Sequence, residues 1–396
     1  MLSTFWCFNN KFSKSIYLIG EVLGIKALHI IWNAKFGGIE KMVFELAEEQ
    51  LQSKMVEPSV LIAKAEGEFL ERFKSAGFKT HFLKFEKGLE LNYLNFKAAI
   101  NLFKKYDVLH FHFFNPVLAF AAYFTKKKIV YSEHGNFGFG REKKKFDRLL
   151  IVLKKWFLKN SKVLIVYNSN FTKQYAETHL GLSNHSRSSV VTNGINLSTY
   201  LNKNKLVSHG KQFDALKEQL NNKFVIGTSS RFAGFKRIDR LINSFNRIPD
   251  AEKTVLLLVG DGVLMSSLRK QVDELNLNER VIFTGFIKEI KEYQELMDVC
   301  VFASESEPFG LVAIETLSLG KPTIVFKNGG GLVEIIEGIN KKDIVEDEKG
   351  LAERIDFYRK YPNEIKLNQD SIIEYSKQYS IQSVAEKLVT IYQNKD

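Results

Sequence analysis

Two short stretches of this 396-residue chain combine residue types that could handle a charged leaving group together with hydroxyls. The first is Glu307-Pro-Phe-Gly-Leu-Val-Ala-Ile-Glu315, which follows the apolar run Val299–Phe302 and the loop Ala303-Ser304-Glu305-Ser306. Gly310 is placed to open a helix, and the first N–H groups of a helix, here at Gly310, Leu311 and Val312, have no intrahelical acceptor. Such a terminus binds phosphate. Glu307 precedes it and Glu315 lies about one turn inside, so two carboxylates flank an anion site. That set suits a sugar nucleotide, with hydroxyls at both ends and a diphosphate between. The plainer account is capping by Glu307 and a solvated helix face for Glu315. The second stretch is Ser229-Ser230-Arg231-Phe232-Ala233-Gly234-Phe235-Lys236-Arg237-Ile238-Asp239. Arg231 and Lys236 sit in a turn after a strand, where ligands of α/β sheets bind. Two cations there can neutralise a diphosphate as it leaves, the task a metal performs in other enzymes. Ordinary loop charge is the alternative.

The elements that must position these residues are legible as an alternation. Short apolar runs at residues 27–32, 58–63, 107–111, 129–132, 163–167 and 189–192 are separated by amphipathic segments such as 40–50, 68–76 and 94–105. A polar stretch at 198–223 reads as an interdomain segment. The alternation then restarts with runs at 224–228, 254–259, 281–284, 299–302 and 323–326, spaced by helical patterns such as 237–246 and 263–275. Repeated βαβ units of this kind predict parallel sheets. The expected fold class is α/β, with two doubly wound units and the ligand site in the cleft between them. The expected divisions are an N-terminal extension at 1–26, a first domain at 27–200 and a second at 201–371. A C-terminal helix at about 372–396 is free to pack back on the first domain; within it, 381–393 is amphipathic.

Composition narrows the classes further. Hydrophobic residues make up 45% and charged residues 26%, which argues against disorder, collagen-like repeats and a polytopic membrane protein. Two cysteines, Cys7 and Cys300, cannot form a disulfide framework, so a reducing, cytoplasmic location is expected. The first 24 residues make a poor signal peptide, because the apolar run at 16–20 is short and Glu21 interrupts it. The net charge is +12. Residues 1–200 hold 29 Lys and Arg against 16 Asp and Glu, which leaves 28 against 29 in the rest. The excess is densest at 141–162, where Lys143, Lys144, Lys145, Arg148, Lys154 and Lys155 accompany Phe146, Leu149, Leu150, Leu153 and Phe157 at helical spacing. A basic amphipathic helix of this kind can lie on anionic lipid, each basic residue adding about 1 kcal/mol, or can pack its apolar stripe on its own sheet. Nucleic acid is not an expected partner, since no recognition module occurs and the best motifs lie in the neutral half.

Taken together these segments resemble the retaining glycosyltransferases of the GT-B fold, specifically family 4, from Ala27 to about Tyr392. The Glu-x7-Glu pair Glu307/Glu315 and the Arg231…Lys236 loop match its signatures. Phe36-Gly37-Gly38-Ile39-Glu40 resembles the glycine loop after the first strand, and Ser132-Glu133-His134-Gly135 the cleft histidine segment. Asn168-Ser169-Asn170-Phe171-Thr172, Val191-Thr192-Asn193-Gly194-Ile195-Asn196, Gly260-Asp261-Gly262 and Thr284-Gly285-Phe286 resemble further blocks in the family's order. Gly329-Gly330-Gly331 has one glycine more than the usual pair. The resemblance implies two Rossmann-like domains facing across a cleft, nucleotide sugar on the second and acceptor on the first. It implies roles for Arg231, Lys236, Glu307 and His134 in the chemical step. It implies donor contacts from Gly37, Gly38, Gly260, Phe286, Phe309, Gly310, Leu311, Val312 and Glu315. Transfer would retain anomeric configuration and use no cofactor beyond the nucleotide sugar, UDP-linked by preference or GDP-linked. The acceptor would be a glycan or lipid-linked glycan of a cell-surface polysaccharide, met on the inner face of a membrane. No Asp-x-Asp occurs in the chain, in keeping with metal independence.

Three other readings draw on particular residues. A nucleotide-sugar epimerase or a phosphorylase would use the same fold and donor motifs. His110-Phe-His112 places two imidazoles on one strand face, as a metal site would, but the spacing identifies no third ligand and strand-end structural histidines account for the pair. A dinucleotide site is disfavoured, because Gly37-Gly38 lacks the complete Gly-x-Gly-x-x-Gly.

Overall fold

The computed structural model describes residues 24–35, 37–85, 93–135, 145–160, 162–183, 187–202, 210–249 and 253–394. Nearly all of the extension expected at 1–26 lies outside them. Two parallel sheets form. The first has seven strands, β1 (Ile25–Ile31), β2 (Val56–Ile62), β3 (Lys79–Phe82), β4 (Val108–Phe111), β5 (Lys128–Glu133), β6 (Val163–Tyr167) and β7 (Ser188–Val190), in the order β3-β2-β1-β4-β5-β6-β7. The second has six, β8 (Phe224–Ser229), β9 (Thr254–Val259), β10 (Val281–Gly285), β11 (Val299–Phe302), β12 (Thr323–Phe326) and β13 (Ile344–Val345), in the order β10-β9-β8-β11-β12-β13. Helices cover both faces, so the central strands read as continuous apolar runs rather than alternating ones. Each sheet has one core on either face. The order reverses beside β1 and beside β8, and the crevices at those switch points face each other.

Several elements depart from the sequence expectations. β3, Lys-Thr-His-Phe, is an edge strand with no buried residue and no apolar run, and β13 is an edge strand of only two residues. The polar stretch at 198–223 contains a helix, Gly210–Gln219, whose Phe213 ring packs edge-on against Tyr293 and whose Leu216 joins the core of the second domain. The chain returns to the first domain later than residue 372. Helix Pro362–Ser376 still packs on the second domain, with Ile372 in its core. Helix Ile381–Gln393 then lies on the first, where Val384, Leu388 and Ile391 enter the core beneath helix α1 (Gly38–Ser53).

The basic helix, here α2 (Lys145–Leu158), is built differently from the expected stripe. Phe157 is buried, but the exposed apolar residues are Leu149, Val152 and Trp156. Trp156 stacks on Phe120 at 5.2 Å and 15°, and Phe124 beside them is also exposed. Arg148 is exposed and Lys155 half-buried, whereas Lys143 and Lys144, and the side chain of Lys145, lie outside the described residues. Lys154 does not face outward. Its Nζ lies 2.6 Å from Glu133 Oε2 and 5.4 Å from the centroid of the Tyr131 ring, and its side chain is 15% exposed. Burial alone would depress the ammonium; the Glu133 carboxylate, and then Tyr131, outweigh it and hold Lys154 above its ordinary range. Among the described residues no helix is long and apolar enough to cross a membrane.

A buried pair broken on one side leaves an uncompensated charge, which costs about 3–5 kcal/mol. Lys154→Met should lower unfolding free energy by that order, and adding Glu133→Gln should recover most of it. Urea unfolding of the two single variants and the double variant reads the coupling; an additive cycle would mean that the pair contributes nothing.

Candidate active site

The carboxyl ends of β1, β8 and β9 open into one interdomain cavity of about 830 Å³. From the first domain Gly37, Gly38, Lys41 and Glu45 line it, from the N-cap through the first half of α1; from the second come Arg231, Gly260, Phe286, Leu311, Val312 and Glu315. Helix α3 (Leu311–Ser318) is opened by Gly310 at φ +108°, a conformation that disfavours a side chain, and a Cβ there would meet Leu332 Cδ2 at 2.2 Å. Its first N–H groups, at Leu311 and Val312, thus begin at the cavity wall. Arg231, at the end of β8, is exposed and makes no ion pair among the described residues.

Glu315 lies one turn into α3, and its side chain is 6% exposed. Lys41 reaches it across the cleft, with Nζ 3.0 Å from Oε1 and 3.3 Å from the Tyr200 hydroxyl. Glu315 Oε2 is buried with no hydrogen bond among the described residues. Burial opposes the charge on Lys41, but Glu315 and then Glu45 outweigh it and raise the ammonium above its ordinary range. Burial raises Glu45 despite Lys41, and burial with the Glu315 charge lifts Tyr200 well above an ordinary phenol. Glu45 Oε2 accepts from the Asn196 N–H at 2.9 Å, anchoring the interdomain connection to α1.

The remaining expected residues fall beside this cavity. Lys236 and Glu307 form their own pair, Nζ to Oε2 at 2.6 Å, with both side chains under 15% exposed. Phe309 turns its ring into the second domain's core against Tyr379, so the donor contact expected of that side chain is not made from the cavity wall. His134 follows β5 and bonds His112 rather than any cavity residue. The triple glycine has a structural cause. Gly330, at φ +67°, approaches so closely that a Cβ would lie 2.5 Å from Glu307 O and 3.0 Å from Phe171 Cε1. The next helix, α4 (Gly331–Glu337), sends Glu334 across to accept from the N–H of Asn170 at 2.9 Å and of Phe171 at 2.5 Å. The Ser169 and Thr172 hydroxyls donate to Pro308 O at 2.6 and 3.1 Å. Two motif blocks from opposite domains thereby hold each other and seat the Glu307 loop.

Lys41, Glu45 and Tyr200 escaped the sequence reading. The available signal for the first was its position three residues after Gly38, one helical turn from the loop. For Tyr200 there was none, since it lies in a polar connection. His110 and His112 do lie together, and the fold adds a third imidazole that the spacing did not identify, His29, with a nitrogen of each within 4.8 Å. Every ring nitrogen among them already has a hydrogen-bond partner, so the cluster is satisfied as imidazoles.

Comparison with known proteins places the whole arrangement. Residues 36–199 match the model for Glycosyltransferase Family 4, and residues 211–378 that for Glycosyl transferases group 1. The O-antigen biosynthesis glycosyltransferase WclY of Escherichia coli is 24% identical over 318 residues, 74% of this chain and 80% of that one. The N-acetyl-alpha-D-glucosaminyl L-malate synthase of Bacillus anthracis is 33% identical over 108 residues; the match spans only 27% of this chain and 28% of that one. Among solved structures, Anabaena Alr3699/HepE in complex with UDP superposes with a TM-score of 0.74 at 21% identity, covering 93% of this chain and 99% of that one. WaaG, a glycosyltransferase of lipopolysaccharide biosynthesis, gives 0.70 at 13% identity, covering 93% and 100%. With both halves matched in order and both sheets shared, the chain belongs to the GT-B glycosyltransferases of family 4.

Proposed function

We propose that the chain transfers a sugar from a UDP-sugar to a glycan or lipid-linked acceptor, with retention of configuration and without a metal. The observation that carries the donor assignment is the cavity itself, which sets a helix start, an arginine with no ion pair among the described residues and a buried carboxylate around one space. The diphosphate would lie between the N–H groups of Leu311 and Val312 and the Arg231 guanidinium. Glu315 would accept from the ribose hydroxyls. Lys236 would stabilise charge on the departing phosphate, and its pairing with Glu307 sets that carboxylate where the sugar's hydroxyls would come. Attack of the acceptor hydroxyl from the leaving-group side forms the new C–O bond as the phosphate oxygen departs with the electron pair of the old one and takes the acceptor proton. HepE has been solved with UDP and with UDP-glucose, which supports UDP over GDP as the first donor to test.

The acceptor side is read from the first domain. Leu149, Val152, Trp156, Phe120 and Phe124 form an exposed apolar patch on a domain with a strong excess of basic residues, Arg148 and Lys155 among them. That combination fits peripheral docking on an anionic bilayer carrying the acceptor.

Calorimetry should give measurable UDP affinity and weaker GDP affinity. Glu315→Ala should weaken UDP by about tenfold or more, the loss of one charged hydrogen bond. Lys236→Ala should lower turnover of the preferred UDP-sugar by about 10²–10³, and EDTA should leave the wild-type rate unchanged. Absence of binding across UDP- and GDP-sugars would sink the donor assignment, and acceptor-independent formation of an epimer would replace transfer by epimerisation. Arg148→Ser with Trp156→Ser should reduce sedimentation with phosphatidylglycerol vesicles and leave UDP affinity intact. Equal binding to zwitterionic vesicles would overturn the preference for anionic lipid, an unaltered variant would remove this patch from the scheme, and no sedimentation with either vesicle would remove the membrane.

A further inference from the structure

The first domain holds a buried polar feature that the proposed chemistry does not use. Four imidazoles lie at the carboxyl ends of three adjacent strands: His29 in β1, His110 and His112 at the end of β4, and His134 just after β5. Three of them form a line with one glutamine. Gln50 Oε1 lies 2.8 Å from His29 Nε2, His29 Nδ1 lies 3.0 Å from His112 Nε2, and His112 Nδ1 lies 3.1 Å from His134 Nε2. His134 Nδ1, the last atom of the line, is covered and has no hydrogen-bond partner among the described residues.

A neutral imidazole has one N–H and one lone pair, so such a line has a direction. The amide oxygen of Gln50 only accepts, and His29 must therefore carry its proton on Nε2. Its Nδ1 then accepts, so His112 is protonated on Nε2. By the same step His134 is protonated on Nε2, and Nδ1 is left as an unused acceptor. Desolvation keeps the line neutral: burial lowers His29 and His134 to about 4 and His112 well below its ordinary value. The line ends on an amide, which cannot take a proton, so it orients and does not drain protons. Gln50 also lies beside the Tyr392 hydroxyl, which bonds His110 Nδ1 at 2.6 Å and ties this end to the returning helix. A covered acceptor without a donor costs about 1–3 kcal/mol, an arrangement that a substrate hydroxyl would relieve.

We propose that Gln50, His29 and His112 are positioning residues that hold His134 as the Nε2–H tautomer, keeping Nδ1 as the acceptor for a hydroxyl of the bound sugar. This rests on the transferase reading above; the wiring itself does not, and the two can fail separately. In protein labelled with ¹⁵N-histidine, long-range ¹⁵N–¹H spectra should show His134 protonated on Nε2 in the wild type. Gln50→Met, nearly isosteric but without the acceptor, should let His134 populate the Nδ1–H form. It should also lower kcat with the UDP-sugar by about tenfold or more, while Kd for UDP stays within about twofold. A wild-type His134 protonated on Nδ1 overturns the proposal even if no variant folds. So does a Gln50→Met protein with wild-type tautomer and wild-type kcat. Correct tautomers in a protein that turns over no nucleotide sugar would leave the wiring standing and refute the substrate assigned to it.

Discussion

The cleft depends on a tie between the two places where the chain crosses from one sheet to the other. The Ile195 N–H donates to Tyr379 O at 3.0 Å, and Ile195 O accepts from the Ile381 N–H at 2.9 Å. The outgoing connection and the returning segment therefore run side by side, and a Cβ on Gly194 would lie 2.8 Å from Tyr379 O. Gly194 and Ile195 also line the cavity, so the crossing supports the site directly. Two parallel sheets each leave functional loops at their carboxyl ends. Only a connection that sets those ends face to face turns two half-sites into one. The Glu334 bridge to Asn170 and Phe171 and the Lys41 bridge to Glu315 then join the domains from either side.

The sheet interiors were legible because parallel strands buried on both faces leave unmistakable apolar runs, as at Val163–Tyr167 and Thr254–Val259. The helix start at Gly310 was legible for the same reason that it works, a glycine after a buried strand. What escaped belongs to partners that meet only in three dimensions. Lys41 and Glu315 are 274 residues apart, and the importance of Lys41 lies in crossing the cleft, which no local pattern encodes. Phe309 read as part of a ligand motif because it stands just before the cavity-lining Leu311 and Val312, yet its ring serves the core. The basic helix had the right composition and the wrong face. Periodicity grouped Leu149 with Phe157, yet Leu149 is exposed together with Val152 and Trp156 while Phe157 is buried. Lys154 shows the same limit, since only the fold brings Glu133 beneath it.

Charge is handled in opposite ways on the two sides of the cleft. The first domain holds the basic excess, yet the imidazoles at its strand ends stay neutral because burial suppresses protonation, and its largely buried Lys154 is matched by Glu133. The second domain is close to neutral overall and places single charges where they count, Arg231 in the cavity and Lys236 against Glu307. A long-range field falls off within about a Debye length, roughly 8–10 Å, so surface charge serves approach and orientation. The short pairs act at contact distance.

The Lys41–Glu315 contact has a consequence for recognition. The carboxylate that faces the cavity is already engaged, so a hydroxyl arriving there exchanges one partner for another and does not fill a vacancy. Measured affinity then reports a difference between two contacts, and ligands that offer a single weak hydroxyl gain little from the exchange. A ribose, as proposed above, would bring two adjacent hydroxyls, enough to reach both Oε1 and Oε2, the latter without a partner among the described residues. Under the proposed donor reading, the Lys41 contact would act as a built-in competitor that favours a diol over a single hydroxyl.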